Sequence, residues 1–168
     1  ILRRDIDKLG FAKDFTIYDT DDSKRVIKDV VKELKLEEKS FQPREVLSVI
    51  STAKDKYETP EDFQANEASN GDWRLARIAK IYARYEEKLR AANALDFDDL
   101  IFHTVTLLKR CPEVREYYQN KFRYVLVDEY QDTNHLQYLL TSLLAAGRKN
   151  RCVGGDDDQS IDRFRRAH

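Results

Sequence analysis

The sequence predicts a mainly α protein that closes with a small α/β part. Periodicity carries most of this: apolar residues recur at spacings of three and four through most of the chain, with charged residues between them. Punctuation agrees, because helix-start signals stand at Asp19-Thr20-Asp21-Asp22, Pro43, Thr59-Pro60, Asp72 and Pro112. Continuous apolar runs bounded by polar clusters appear only late, at Tyr124-Val125-Leu126-Val127 and near Cys152-Val153, and these read as buried strands.

Taken in order, Ile1 to Leu9 reads as the last turns of a helix, with Gly10 as its C-terminal stop. Phe15-Thr16-Ile17-Tyr18 is a short extended segment. One of the aspartates that follow, or Ser23, caps a helix with Val26, Ile27, Val30, Val31 and Leu34 on its apolar face. Pro43 opens another with Val46, Leu47 and Ile50 inward, and Thr59-Pro60-Glu61-Asp62 starts a third. Glu67 to Gly71 is polar and reads as a loop. Asp72 then caps the longest helix, whose stripe of Trp73, Ala76, Ala79, Tyr82, Tyr85 and Leu89 reads as core-facing rather than as a base-stacking surface. Asn93-Ala94-Leu95 breaks that helix and Asp96 to Leu100 begins the next, with Leu100, Ile101, Val105 and Leu108 on its apolar face. A short helix from Pro112 carries Val114 and Tyr117. After the first late strand a helix runs through Leu136, Leu139, Leu140, Leu143 and Leu144 to Gly147.

Composition bounds the function classes. Charged residues make up 36% and hydrophobic ones 41% of the 168 residues, which fits a folded, helix-rich chain rather than a disordered one. No apolar run is long enough to cross a bilayer and no signal-peptide pattern opens the chain. The net charge of −1 gives no bulk support for nucleic-acid binding, so such a site has to be a local patch. The two cysteines, Cys111 and Cys152, lack metal-ligand spacing and fit a reduced, cytoplasmic setting. The chain starts at Ile1 and contains no methionine, and both ends read as cut.

Chemistry concentrates in two acidic motifs. The first late strand ends abruptly in Asp128-Glu129, and Gly155-Asp156-Asp157-Asp158-Gln159-Ser160 follows the second. Each has a bland reading as solvated or helix-capping carboxylates. Two acidic strand ends on one sheet rim are harder to explain without a cation or a phosphate nearby, and ligands of open α/β sheets bind beyond the carboxyl ends of the strands. An aspartate there suits Mg²⁺, reached through its waters, and the longer glutamate beside it suits activation of a water against a terminal phosphate. The neutral amide of Gln159 adds a hydrogen bond to that phosphate without repulsion. Arg163-Phe164-Arg165-Arg166 joins an aromatic ring to three guanidinium groups. That combination holds single strands without sequence preference, and it equally describes a solvated basic helix with one apolar anchor; the residues alone leave both open.

These motifs resemble those of the UvrD/PcrA/Rep group of superfamily-one DNA helicases. Val127-Asp128-Glu129-Tyr130-Gln131-Asp132-Thr133-Asn134 looks like the group's Walker B motif, and Gly155 to Ile161 looks like its next helicase motif. Asn93 to Leu100 is similar to the segment where the chain returns to the core ATPase domain, and Phe15 to Asp19 resembles the start of the helical insertion that interrupts it. The resemblance implies a core-domain helix end over residues 1–14, a helical insertion domain over 15–94, and a partial P-loop NTPase (RecA-like) parallel sheet over 95–168. It implies ATP and Mg²⁺ as cofactors, single-stranded DNA and duplex junctions as partners, and movement with 3′-to-5′ polarity. By resemblance Asp128 organises Mg²⁺, Glu129 activates the attacking water, and Gln159 senses the γ-phosphate; all three belong to the nucleotide site. Phe164 falls where the group stacks an aromatic on a DNA base, with Arg165 beside it.

The chain also departs from the group. Asp162 stands where tyrosine is usual, Arg166 where glycine is usual, and Gly154 replaces an apolar strand residue. No Gly-x-x-x-x-Gly-Lys-Ser/Thr loop occurs, so the phosphate-holding lysine is missing and the chain on its own is expected to be inactive. A strand that has lost a neighbour presents an open edge, across which two copies can pair. The alternative function from a different class is a non-catalytic DNA-binding or protein-interaction helical module. A metal-dependent nuclease is a third reading, which the ordinary helical settings of His103 and His135 do not favour.

Overall fold

The structure, a computed structural model, describes residues 1–68, 71–122 and 135–145. The chain divides into two compact units: Gly10–Leu100 forms one, and Ile1–Leu9 with Ile101–His168 forms the other. Among the described residues the architecture is mainly α with a small parallel sheet of two strands. The expected strands at Tyr124–Val127 and Cys152-Val153 lie outside the described residues.

The unit Gly10–Leu100 begins at β1 (Thr16–Tyr18) and ends with β2 (Ala94–Asp96) and the first turn of α6 (Phe97–Arg110). Between the strands run α2 (Thr20–Glu33), α3 (Pro43–Asp55), α4 (Pro60–Asn66) and α5 (Trp73–Ala91). The strands pair in parallel, Thr16 with Ala94, Ile17 with Leu95 and Tyr18 with Asp96. Parallel neighbours need a long crossover, and here four helices supply it.

Each helix starts where a local signal places it. Asp19 and Asp22 exchange side-chain and backbone hydrogen bonds in a reciprocal capping box at α2, and Thr59 and Asp62 do the same at α4. Pro43 and Pro60 sit at the first turn, where a missing N–H leaves no bond unmade. Asp72 caps α5 through the N–H groups of Arg74 and Leu75.

The ends were less legible. The residue just past the C-cap of α2, α3 and α5 is left-handed in every case: Lys35 at φ 58, Tyr57 at φ 59 and Asn93 at φ 52. After α2 the N–H groups of Lys35 and Leu36 return to the carbonyls of Lys32 and Val31, and after α3 those of Tyr57 and Glu58 return to Lys54 and Ala53. This Schellman arrangement satisfies carbonyls that the helix leaves open. Only Asn93 is a residue type that announces the conformation.

The core of this unit gathers Ile27, Val30 and Val31 of α2, Val46, Ile50 and Ala53 of α3, Phe63 of α4, and Ile78, Ile81, Tyr82, Tyr85 and Leu89 of α5. The α5 stripe therefore faces inward as expected, with one exception. Trp73 is 59% exposed, because it occupies the first helical position, ahead of the turn that docks. Its ring meets Phe41 edge-on at 6.4 Å and lies under the Arg77 guanidinium at 5.0 Å.

In the other unit, α1 (Leu2–Asp5) tightens into a 3₁₀ turn over Ile6–Leu9. Gly10, the first residue beyond it, has φ 92, the conformation its stop role required. The rest of α6, α7 (Pro112–Lys121) and α8 (His135–Ala145) complete the described part. Phe102, Val105, Leu107 and Leu108 of α6 are buried. On α7 the buried partner of Val114 is Tyr118, one full turn on, while the expected Tyr117 is 43% exposed. The Arg4 guanidinium lies 4.0 Å over the Tyr117 ring, and Gln119 Nε2 donates to the Leu143 carbonyl at 2.8 Å, tying α7 to α8. Among the described residues no helix is long and apolar enough to cross a membrane.

Candidate functional site

The most unusual chemistry among the described residues is a lysine inside the helical unit. Lys54 lies on the inward face of α3, in line with Val46, Ile50 and Ala53, and its side chain is 1% exposed. A buried ammonium persists only when it is paired and hydrogen-bonded. Its Nζ stands 2.8 Å from Asp96 Oδ2 of β2, 2.8 Å from Asp99 Oδ1 of α6 and 2.6 Å from Glu86 Oε2 of α5. The Tyr85 hydroxyl donates to Asp96 Oδ2 at 2.8 Å, and the ammonium lies 5.3 Å from the Tyr85 ring centre. Tyr82 turns its hydroxyl the other way, donating to the Glu58 carbonyl at 2.6 Å.

The two aspartates are held by their own backbone. Asp96 N–H donates to Asp99 Oδ2 at 3.1 Å and Asp99 N–H donates to Asp96 Oδ1 at 2.9 Å, a reciprocal box at the start of α6. Each carboxylate thus caps the helix with one oxygen and grips Lys54 with the other. Glu86 differs: its side chain is 25% exposed, while its Oε2 is buried and, although close to the ammonium, poorly aligned for a hydrogen bond.

The electrostatics follow from this arrangement. Burial by itself lowers the Lys54 pKa; Asp99, Glu86 and Asp96 override that and hold it well above the ordinary lysine value. Burial pushes Asp99 well above the usual carboxylate range, and Glu86 and Asp96 reinforce the push against the pull of Lys54. Burial also raises Glu86. Asp96 faces the same burial, yet Lys54, the Tyr85 hydroxyl and the Asp99 N–H outweigh it and bring its pKa down. Lys54, Asp96 and Asp99 are closed to solvent, so the cluster holds elements in place and offers a substrate no access.

Sequence reasoning did not single out this cluster, although signals were present. Lys54 interrupts an apolar stripe at helical spacing, Glu86 does the same one turn after Tyr82, and Asp96-x-x-Asp99 has the spacing of a capping box. The residues that sequence reasoning did single out lie elsewhere. Asp128, Glu129, Gln159, Phe164 and Arg165 all fall outside the described residues, as do Asp162, Arg166 and Gly154.

Comparison with known proteins bears on the whole chain. The family model described as the UvrD/REP helicase N-terminal domain matches residues 1–168. A protein named ATP-dependent DNA helicase PcrA from Staphylococcus aureus is 51% identical over 167 residues, covering 99% of this chain. The protein of the same name from Staphylococcus epidermidis is likewise 51% identical over 167 residues. The chain spans 22% of the length of each of these relatives. With its full length matched and half its residues identical to such relatives, the chain belongs to the UvrD/REP helicase N-terminal domain family.

Proposed function

We propose that this chain is part of an ATP-dependent DNA helicase of the UvrD type that moves 3′ to 5′ on single-stranded DNA. The observation that carries the reading is the 51% identity to proteins named ATP-dependent DNA helicase, over a match that covers 99% of the chain. In this reading residues 1–14 end a core-domain helix, 15–94 form the helical insertion, and 95–168 return to the ATPase core. The protein works in the cytoplasm, where single-stranded DNA and duplex junctions are its substrates.

Asp128 and Glu129 are hard oxygen donors of the kind Mg²⁺ prefers, and Asp128 would hold that ion. Bound with ATP, the ion supplies charge neutralisation at the phosphates. Glu129 accepts a proton from the water that attacks the γ-phosphate, a role its longer stem allows. Gln159 donates its amide to the γ-phosphate and loses that contact on hydrolysis, which makes it the sensor linking nucleotide to DNA. Phe164 stacks on a base and Arg165 neutralises a neighbouring phosphate.

Glu129→Gln in the full-length protein tests the central assignment. Hydrolysis should fall by a factor of about 10² or more while ATP binding stays intact. Unchanged turnover would remove Glu129 from the role of general base. The 168-residue chain by itself, which carries no Gly-Lys-Ser/Thr loop, should show no DNA-stimulated hydrolysis.

A further inference from the structure

The chain passes from one compact unit to the other twice, between Leu9 and Gly10 and between Leu100 and Ile101. The two passages are built differently. At the first, a 3₁₀ turn stops at Gly10, whose φ of 92 most residue types avoid, and non-helical chain follows as far as β1. At the second there is no interruption, because α6 runs as one helix from Phe97 to Arg110. A turn absorbs a displacement in its own dihedrals, whereas a helix hydrogen-bonded along its length carries a displacement from one end to the other.

What α6 can transmit depends on how firmly its first turn is held. Apolar packing is sparse there: Phe97 is 56% exposed, Asp98 and Leu100 are half-buried, and of this turn Asp99 alone is closed to solvent. The grip is polar and comes from α3. Lys54 Nζ stands 2.8 Å from Asp99 Oδ1, and Ser51, one turn earlier on α3, hydrogen-bonds Asp98. The same ammonium stands 2.8 Å from Asp96 Oδ2 and 2.6 Å from Glu86 Oε2, so one buried side chain joins α3, α5, β2 and the start of α6. Burial gives this junction its stiffness. Ion pairs on a surface exchange readily for water, but here parting would leave an ammonium and carboxylates in the interior, at far greater cost.

We infer that Lys54 is a positioning residue for the helicase reaction: through Asp96 and Asp99 it clamps the first turn of α6 to α3 and α5, so that displacement of α6 during the ATP cycle reaches the helical unit. This inference rests on the helicase reading above. Lys54 is given no contact with nucleotide or DNA, so loosening the clamp spares hydrolysis and lowers the strand separation obtained from it.

The test is Lys54→Met in the full-length protein. DNA-stimulated ATP hydrolysis and separation of a duplex with a single-stranded tail are measured on one preparation, and the readout is base pairs opened per ATP hydrolysed. Hydrolysis should stay within about twofold of the parent while that ratio falls by about threefold or more, the scale of a change that weakens coupling. Amide exchange over residues 94–100 should quicken in the same variant. Ile50→Ala controls for stability alone: it removes packing from the same face of α3, one turn before Lys54, and leaves the charge cluster in place. Its ratio should match the parent's. A parent-like ratio in Lys54→Met, or an equal fall in Ile50→Ala, overturns the inference and leaves the helicase reading standing. A lowered ratio with unchanged amide exchange overturns the clamp as its cause. Should Lys54→Met not fold, the same split is sought in Asp99→Asn, which keeps an acceptor for the Asp96 N–H and removes the charge that Lys54 holds. A parent-like ratio there overturns the inference too. A parent protein without DNA-stimulated hydrolysis would instead remove the helicase reading, and this inference with it.

Discussion

Replacing Lys54 with methionine keeps the length of the side chain and removes its charge. Asp96 and Asp99 then lose charge-assisted hydrogen bonds of 2.8 Å each, and Glu86 loses the ammonium that stands 2.6 Å from its buried oxygen. Hydrogen bonds to charged groups are worth about 1.5–3 kcal/mol each. Removing one partner of a buried ion pair costs about 3–5 kcal/mol, because the other charge stays behind. A loss of about 3–5 kcal/mol at mildly alkaline pH is therefore expected for Lys54→Met. The loss shrinks toward acid pH, because the stranded carboxylates can then take up protons. Urea unfolding measures it: with a slope of about 1–3 kcal/mol per molar, the midpoint moves down by roughly 1–5 M. The chain supplies its own control. Arg84 pairs with Glu33 at 2.9 Å on the surface, with both side chains more than a third exposed. Such a pair contributes about 0–1 kcal/mol, so Arg84→Met should do little. If Lys54→Met cost no more than Arg84→Met, the cluster would not hold the unit together and the reasoning would fail.

Two smaller changes probe the same frame. Tyr85→Phe deletes the hydroxyl that donates to Asp96 at 2.8 Å inside the core and should cost about 1–3 kcal/mol, read as a lower thermal midpoint with circular dichroism of the folded state unchanged. Gly10→Ala puts a Cβ on a residue with φ 92, where it would meet Arg90 Nη1 at 3.2 Å. A left-handed alanine costs about 1–2 kcal/mol even though the arginine tip can shift, so a neutral result in the same assay would count against a fixed turn at this position.

Helix starts were legible because their signals are local. Asp19, Pro43, Thr59 and Asp72 each act on backbone within three residues, and the sequence displays those residues side by side. Helix ends were less legible, since Lys35 and Tyr57 adopt a left-handed conformation that their residue types do not advertise. The strand Ala94–Asp96 was read only as a helix break. Three residues carry too little alternation to reveal a strand, and its pairing with Thr16–Tyr18 is a tertiary fact. The buried cluster was hidden for the same reason: Lys54 meets Asp96 across 42 residues of sequence and Asp99 across 45. Its members were nevertheless marked, Lys54 and Glu86 as charges standing in apolar stripes, Asp96 and Asp99 by the spacing of a capping box. The acidic motifs that pointed to nucleotide chemistry stood out by composition and order alone, whereas the geometry around Asp128, Glu129 and Gln159 lies outside the described residues.

The two-stranded sheet is better understood as a product of the helices than as their foundation. A pair of three-residue strands has little stability of its own. β2 is buried along its whole length, whereas Thr16 and Ile17 of β1 remain exposed. Two clasps hold them together. Asn93 Oδ1 accepts from the Ala12 N–H at 2.8 Å, and its carbonyl accepts from the Thr16 N–H at 3.0 Å, which fixes the start of the pair. At the other end Asp96 is gripped by Lys54 of α3 and Tyr85 of α5. Neither gripping residue is available until α3 and α5 have packed, because a buried lysine without its carboxylates is unstable. The returning strand and the first turn of α6 therefore gain their order from the docked helices, through side chains that the local sequence does not contain. A chain segment leaving a helical unit is then as firmly placed as the packing behind it, and Lys54 is the residue through which that packing is transmitted.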